Sequence, residues 1–299
     1  MQEGQITKAI SGFYYIKGED GKNYQTRARG VFRKKGINPL VGDYVEFKSD
    51  NIKEGTLIAV KERKNSLTRP TIANVDVGIV VSSIIEPEFS PQLLDRFLVS
   101  LEYKHIAPII YLSKMDIASE EEKEKMASYK KIYEEIGYLF IALDVSKIDN
   151  LKKHLKNTFN DYFEEKLVVF IGQSGAGKST LLNYLNPALD LKTAETSKAL
   201  GRGKHTTRHV ELFPLFDGLF ADTPGYSALS FSEIEASELS DCFPEMREIS
   251  DKCRFRGCLH QNEPNCAVKK AVENQRIALS RYESYLQILK EVQERKPRY

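Results

Sequence analysis

Residues 172–179 read GQSGAGKS, between the apolar run Leu167–Ile171 and the helix-forming stretch Ser179–Leu185. A strand, a glycine-rich loop and a helix in this order, spaced G-x-x-x-x-G-K-[ST], make a phosphate-binding loop rather than a chance turn. The chemistry explains the residue types. Gly172, Gly175 and Gly177 let the backbone curl until its N–H groups face phosphate oxygens. The helix N-terminus adds partial positive charge at the same place. Lys178 reaches the β- and γ-phosphates, and Ser179 offers a hydroxyl to Mg²⁺. Gln173, Ser174, Ala176 and Thr180 complete the expected triphosphate site.

Two further motifs select the nucleotide and the reaction. Asp222-Thr223-Pro224-Gly225 follows the strand Leu219–Ala221 and fits D-x-x-G. Asp222 is expected to hold magnesium through water, and Gly225 to bring its N–H near the γ-phosphate. Ser113-Lys114-Met115-Asp116 follows the strand Ala107–Leu112 and resembles the guanine-reading pattern [NT]-K-x-D. The Asp116 carboxylate can accept from both N1–H and the 2-amino group of guanine, a pair that adenine does not offer. The Lys114 stem packs along the base while its head stays polar. Ser113 stands where Asn is usual, which keeps one hydrogen bond and loses the amide's second. A second base-contacting segment is expected at Asp144–Lys147, with Val145 and Ser146 at the nucleotide. These motifs point to GTP and to hydrolysis, and they disfavour a phosphate-transferring kinase.

The rest of the chain frames this centre. Short apolar alternations at Gln5–Ile10, Phe13–Ile16, Asn23–Ala28, Asp43–Phe47 and Thr56–Val60 are separated by turn formers. Five strands within residues 1–68 predict an all-β barrel of the OB type. Over 69–228, buried strands (Val75–Val81, Ala107–Leu112, Leu139–Leu143, Lys166–Ile171, Leu219–Ala221) alternate with helices (Pro91–Tyr103, Ser119–Ile136, Lys178–Leu185), predicting an α/β domain. Residues 229–299 read as a mostly helical domain. It ends in one helix, Ala267–Glu294, whose apolar face carries Val268, Val272, Ile277, Tyr282, Tyr285, Leu289 and Val292. The composition, 41% hydrophobic and 29% charged, suits a folded chain. No apolar run approaches the ~18 residues that span a bilayer, and the N-terminus lacks a secretory pattern, so a cytoplasmic protein is expected.

Three of the four cysteines crowd into Cys253–Cys266. Cys253, Cys258, His260 and Cys266 make C-x4-C-x-H-x5-C, three thiolates and one imidazole that close a tetrahedral structural zinc site. Cys242 stands apart and reads as a packing residue. Basic residues gather in three places: Arg27, Arg29, Arg33, Lys34 and Lys35 on the barrel; Arg202, Lys204, His205 and Arg208; and Lys252, Arg254 and Arg256 beside the cysteines. Together they predict a composite RNA-binding surface with steep salt dependence.

The order of the motifs is unusual. Asp116 precedes Gly172 by more than fifty residues, whereas most GTPases place the base-reading motif after the phosphate loop. The order is that of a circular permutation, which a fold tolerates when its termini lie close together. The segment after Asp222–Gly225 then leads directly into the C-terminal domain, so loss of the γ-phosphate can be felt as domain motion.

With the barrel, the rotated motifs, Asn65–Asp76 (NSLTRPTIANVD), Gly201–Val210 (GRGKHTTRHV) and Arg281–Glu291 (RYESYLQILKE), nearly the whole chain resembles the RsgA family of circularly permuted GTPases. The resemblance implies a GTPase that binds the 30S ribosomal subunit and its 16S rRNA late in assembly. It also implies stimulation of hydrolysis by that subunit. GTP and GDP are the expected ligands, and a monomer is expected. Gly201–Val210 is expected to be the first switch. Thr206 or Thr207 supplies a hydroxyl to Mg²⁺; Thr207 is the working assignment, and the sequence does not separate the two. Tyr226 follows Gly225, where a Ras-like enzyme has the glutamine that orients water. Slow unaided turnover is therefore expected, with His205 as the water-positioning group. A nucleotide-gated RNA-binding module with incidental hydrolysis is the alternative.

Overall fold

Strand order is what closes the N-terminal barrel. The computed structural model describes residues 1–30, 32, 36–143, 153–156, 162–189, 210–222 and 231–295. In chain order the strands and helices are β1 (Gln2–Ile10), β2 (Phe13–Gly18), β3 (Asn23–Ala28), β4 (Tyr44–Ser49), β5 (Gly55–Val60), β6 (Ser66–Thr68), β7 (Thr71–Ala73), β8 (Val77–Ser83), α1 (Pro91–Tyr103), β9 (Ala107–Ser113), α2 (Glu120–Glu135), β10 (Leu139–Ala142), β11 (Leu167–Ile171), α3 (Lys178–Leu185), β12 (Glu211–Leu215), β13 (Gly218–Asp222), α4 (Pro244–Ser250), α5 (Ala267–Glu273) and α6 (Leu279–Gln293). They fall into two compact units.

The first unit holds residues 1–78, 148–171 and 178–226. Strands β1 to β5 run in the order β1-β2-β3-β5-β4, and β4 returns to pair with β1, so no edge of the barrel is left open. β3 and β5 pair in parallel and the other barrel pairings are antiparallel. Ile6, Ile16, Val45, Phe47 and Leu57 point inward and are fully buried, as alternation along each strand requires. This is the OB-like barrel expected from the sequence.

Polar side chains fix where the barrel ends. Buried Asp43 accepts from Arg63 Nε at 2.7 Å and Nη2 at 2.8 Å, and from the Leu40 N–H at 2.7 Å. Asn65 brackets Val75 from both sides, accepting from its N–H and donating to its carbonyl. Asp76 Oδ2 then accepts from the Leu167 N–H at 2.9 Å, at the start of β11. Asn65–Asp76, including the hairpin β6–β7, is thus a junction that locks the barrel to β11. Beside β11 runs β13 in parallel, and β12 pairs antiparallel with β13. The β12–β13 turn is Phe216-Asp217, both at positive φ (52° and 60°), as a two-residue hairpin matching strand twist demands. Neither β12 nor the hairpin β6–β7 was legible in the sequence pattern.

The second unit holds residues 79–147, 172–177 and 227–299. Its strands run in the order β10-β9-β8, with β9 and β10 parallel. Ser90 caps α1, its hydroxyl accepting from the Leu93 N–H. Ser119 and Glu122 form a capping box on α2. Phe243, Met246, Val268, Tyr285, Ile288 and Leu289 form the helical core, joined by Val99 from α1. Phe231 is clamped at its ring by the Arg96 guanidinium, 4.6 Å from the centroid, and at its carbonyl by Arg295 Nη1 at 3.2 Å.

One expectation is corrected here. The single helix Ala267–Glu294 is two helices, α5 and α6. Gln275 takes φ +58°, its N–H bonds Val272 O at 3.0 Å, and the Arg276 N–H bonds Ala271 O at 2.8 Å. That is a Schellman stop. It escaped the sequence reading because its left-handed residue is Gln rather than Gly or Asn.

Candidate functional site

The phosphate loop owes its path to close approaches at its glycines, the tightest of which leaves no room for a side chain. At Gly172 (φ +140°) a Cβ would lie 2.1 Å from the Val81 carbonyl oxygen of β8. At Gly177 (φ +92°) it would lie 3.3 Å from Ser113 Cβ and Oγ. The loop between them turns through an Ala176 N–H to Gln173 O bond of 3.2 Å, and Ala176 is buried. Gln173, Ser174 and Gly175 are exposed, and α3 starts at Lys178. Its apolar face, Leu181, Leu182 and Leu185, anchors it.

Lys178 is only 8% exposed. Burial pushes its ammonium down to about 8, since desolvation penalises the charged form. Ser179 is half-buried and Thr180 exposed at the start of the same helix.

Ser113 ends β9 and is buried. Its Oγ lies 2.6 Å from Ala176 O and 3.3 Å from Ser82 O. A hydroxyl carries one proton, and the shorter contact takes it. The residue where Asn is usual therefore binds the segment Ser113–Asp116 directly to the phosphate loop. Lys114 adopts φ +62°, and its Nζ donates to the Glu86 carbonyl oxygen. Met115 is half-buried and Asp116 exposed. Sequence reasoning missed Val81 and Glu86, because both contribute backbone carbonyls, which leave no residue signature.

Asp222 is the last residue of β13, whose parallel partner β11 leads into Gly172, so both strands deliver their motifs at their C-terminal ends. Val145, Ser146, His205, Thr206, Thr207 and Gly225 lie outside the described residues, as do Tyr226, Arg33, Lys34 and Lys35.

Cys253, Cys258, His260 and Cys266 converge, with their ligand atoms all within 4.8 Å of one another. Cys253 Sγ lies 3.9 Å from Cys266 Sγ, and His260 Nδ1 lies 3.6 Å from Cys253 Sγ and 3.3 Å from Cys266 Sγ. A tetrahedral zinc with Zn–S of about 2.3 Å and Zn–N of about 2.0 Å has edges of roughly 3.8 and 3.5 Å, so the donor set fits that ion. The Ala267 and Lys269 N–H groups donate to Cys253 and Cys266 Sγ at 3.3 and 3.5 Å, which favours thiolate sulfur. Burial pushes the Cys258 thiol up to about 12; a bound divalent cation reverses that preference. Around the cluster, Tyr282 and Tyr285 of α6 donate to His260 O and Leu259 O. The Glu263 carboxylate accepts from the Leu259, Gln261 and Asn262 N–H groups. Cys242 is buried in the helical core, apart from the cluster.

The model of the RsgA GTPase family matches residues 60–232, and that of the RsgA N-terminal domain matches residues 3–57. This chain belongs to the RsgA GTPase family. Membership makes it a GTP hydrolase, with the circularly permuted motif order. A similar RsgA protein is small ribosomal subunit biogenesis GTPase RsgA 1 of Listeria monocytogenes serotype 4b (strain F2365), 56% identical over 100% of both chains. Small ribosomal subunit biogenesis GTPase RsgA of Enterococcus faecalis is 55% identical over 99% of this chain and 97% of that protein. Among solved structures, YloQ, a circularly permuted GTPase, superposes with a TM-score of 0.83 at 43% identity, covering 100% of this chain and 98% of that one. YjeQ from Thermotoga maritima gives 0.82 at 33% identity over 99% of each. Among the described residues no helix is long and apolar enough to cross a membrane.

Proposed function

We propose that this RsgA-family GTPase acts in small ribosomal subunit biogenesis, with hydrolysis stimulated by the 30S subunit so that GTP use serves as a late assembly checkpoint. The observation that carries this reading is the full-length identity of 56% to a relative named as a small ribosomal subunit biogenesis GTPase, in a chain that itself has the barrel, the rotated motifs and a Cys3His cluster. The domain limits proposed are 1–68, 69–228 and 229–299. The chain is proposed to work as a cytoplasmic monomer that contacts 16S rRNA.

In the proposed site, backbone N–H groups of Gly172–Gly177 and the Lys178 ammonium hold the β- and γ-phosphates. Ser113–Asp116, with Val145 and Ser146, holds guanine. Ser179 and Thr207 would hold Mg²⁺, with Asp222 behind a water; the ion neutralises phosphate charge when bound. His205 positions the water that attacks the γ-phosphorus. The bond to the β–γ bridging oxygen breaks, and GDP and phosphate leave. The Cys3His cluster would hold one structural zinc that stiffens its loop.

The deciding experiment measures GTP hydrolysis with and without 30S subunits, with ATP as control. Stimulation confined to GTP and lost in His205→Ala, with GTP affinity retained, is expected. Equal turnover with and without subunits overturns the proposed stimulation. The alternative, a nucleotide-gated RNA-binding module, is favoured if release from the 30S subunit ignores the loss of hydrolysis in Lys178→Ala.

A further inference from the structure

Phe255 is 45% exposed, and no other described phenylalanine is as open to solvent. It sits on the loop Arg254–Gly257, whose two ends are the cluster cysteines Cys253 and Cys258. Gly257 takes φ +69° with open space where a Cβ would point. The Lys252 and Cys253 N–H groups bond back to Ile249 O and Ser250 O, at 3.0 Å each, at the end of α4. The ring is therefore presented on a short, tied loop, which lowers the ordering entropy that binding must overcome.

The surroundings of the ring select the partner. Arg254 Cζ lies 5.4 Å from its centroid. Lys252, Arg254 and Arg256 are exposed, none has a carboxylate partner among the described residues, and Asp251 is the only acidic residue from 250 to 257. A protein interface core is depleted of charge, and a membrane-binding face needs a broad apolar stripe. One aromatic ring set among cations is neither. It matches single-stranded nucleic acid, where a base stacks on the ring and the flanking phosphates meet the cations. Paired bases keep their faces stacked within the helix, so only an unpaired base can use the ring.

We propose that Phe255 is a stacking platform for one unpaired RNA base, with Lys252, Arg254 and Arg256 holding the adjoining phosphates. This rests on the RNA-associated function proposed above and names the RNA feature that the cysteine-bounded loop takes.

The chain contains no tryptophan, so Phe255→Trp places a sole indole at the platform. The full-length variant is titrated with a mixed-sequence single-stranded RNA, a duplex of the same composition, and phosphatidylglycerol vesicles. Saturable indole quenching by the single strand, with little from the duplex or vesicles, is expected. Phe255→Ala should weaken single-strand binding about 5- to 150-fold, the range for loss of one base–aromatic stack, while Phe255→Tyr retains it. Zinc content equal to the parent's certifies each fold; if the Trp variant loses zinc, the Ala and Tyr affinities decide. An unchanged indole at saturating single strand, equal quenching by duplex, a response to vesicles alone, or parental affinity in Phe255→Ala overturns the platform. Parental stimulation by 30S subunits alongside any of these results leaves the proposed function standing. Loss of stimulation in the parent, with quenching intact, removes the function and leaves the platform.

Discussion

Ser113 Oγ donates to the Ala176 carbonyl oxygen at 2.6 Å, so the segment expected to read the base and the loop expected to hold the phosphates share a buried hydrogen bond. The bond makes the spacing between them a property of the folded chain rather than of the bound nucleotide. Ser113→Ala strands the buried Ala176 carbonyl, at a cost of about 1–3 kcal/mol. Guanine nucleotide affinity, read with a fluorescent GDP analogue, should fall about tenfold. Ser113→Asn, which restores the residue usual at this place, should not rescue it. A Cβ built at Gly177 would lie 3.3 Å from the Ser113 side chain, so the space between that side chain and the loop is narrow for a larger amide. Affinity within twofold of the parent in Ser113→Ala would show the bond to be incidental.

Nucleotide affinity should fall as pH rises above about 8. Burial holds the Lys178 ammonium at about 8 in the nucleotide-free protein. Phosphates binding beside it raise that value, so binding above pH 8 takes up a proton. Affinity is then level below pH 8 and declines about tenfold per unit above it, until the bound-state value is reached. Isothermal titration of GDP between pH 7 and 9.5, in buffers of different ionisation enthalpy, reads both the decline and the proton. A flat profile, or one that Lys178→Ala reproduces, would remove Lys178 from the phosphate site.

Much of this was legible because it depends on side chains. Alternation in Gln5–Ile10 or Asn23–Ala28 declares a barrel strand, and G-x-x-x-x-G-K-S between a strand and a helix declares the phosphate loop. What escaped depends on backbone. Gln275 in a left-handed helix stop and Phe216 in a hairpin turn are residues that seldom take positive φ. The Val81 and Glu86 carbonyls that shape the site belong to atoms every residue has. Asp95 is a different case. Its place within Leu93-Leu94-Asp95-Arg96-Phe97-Leu98 put a carboxylate on an apolar face, and that signal was available but unused.

Zinc should be present at about one per chain and should depend on Cys258 but not on Cys242. Cys258→Ala leaves three donors for an ion that a structural site holds with four. Metal analysis should drop to near zero, and Tm should fall by several degrees as the loop 253–266 loses its closure. Cys242→Ala removes a buried sulfur from the helical core and should lower Tm while leaving zinc at the parental level. Equal zinc in the Cys258 variant would mean that the metal is held elsewhere.

Arg281 should be the costliest single charge to remove from the helical unit. It is 1% exposed, donating to Glu245 Oε1 at 2.7 Å and to Asp95 Oδ1 at 2.5 Å, while Tyr133 Oη donates to the same Asp95 oxygen at 2.7 Å. Burial alone would push the guanidinium down, but the two carboxylates hold it well above its ordinary value. The Phe243 ring lies 4.6 Å from its centre. Asp95 comes from α1, Glu245 from α4 and Arg281 from α6, so one cation joins three helices. Arg281→Met leaves two carboxylates buried without their partner and should cost about 3–5 kcal/mol in urea unfolding. If the cost is that of stranded charge, adding Asp95→Asn and Glu245→Gln should recover a large part of it, because the amides need no counter-ion. If the triple variant is no more stable than Arg281→Met, the shape of the guanidinium matters more than its charge. A single-variant cost below about 1 kcal/mol would mean that water reaches the carboxylates once the arginine is gone.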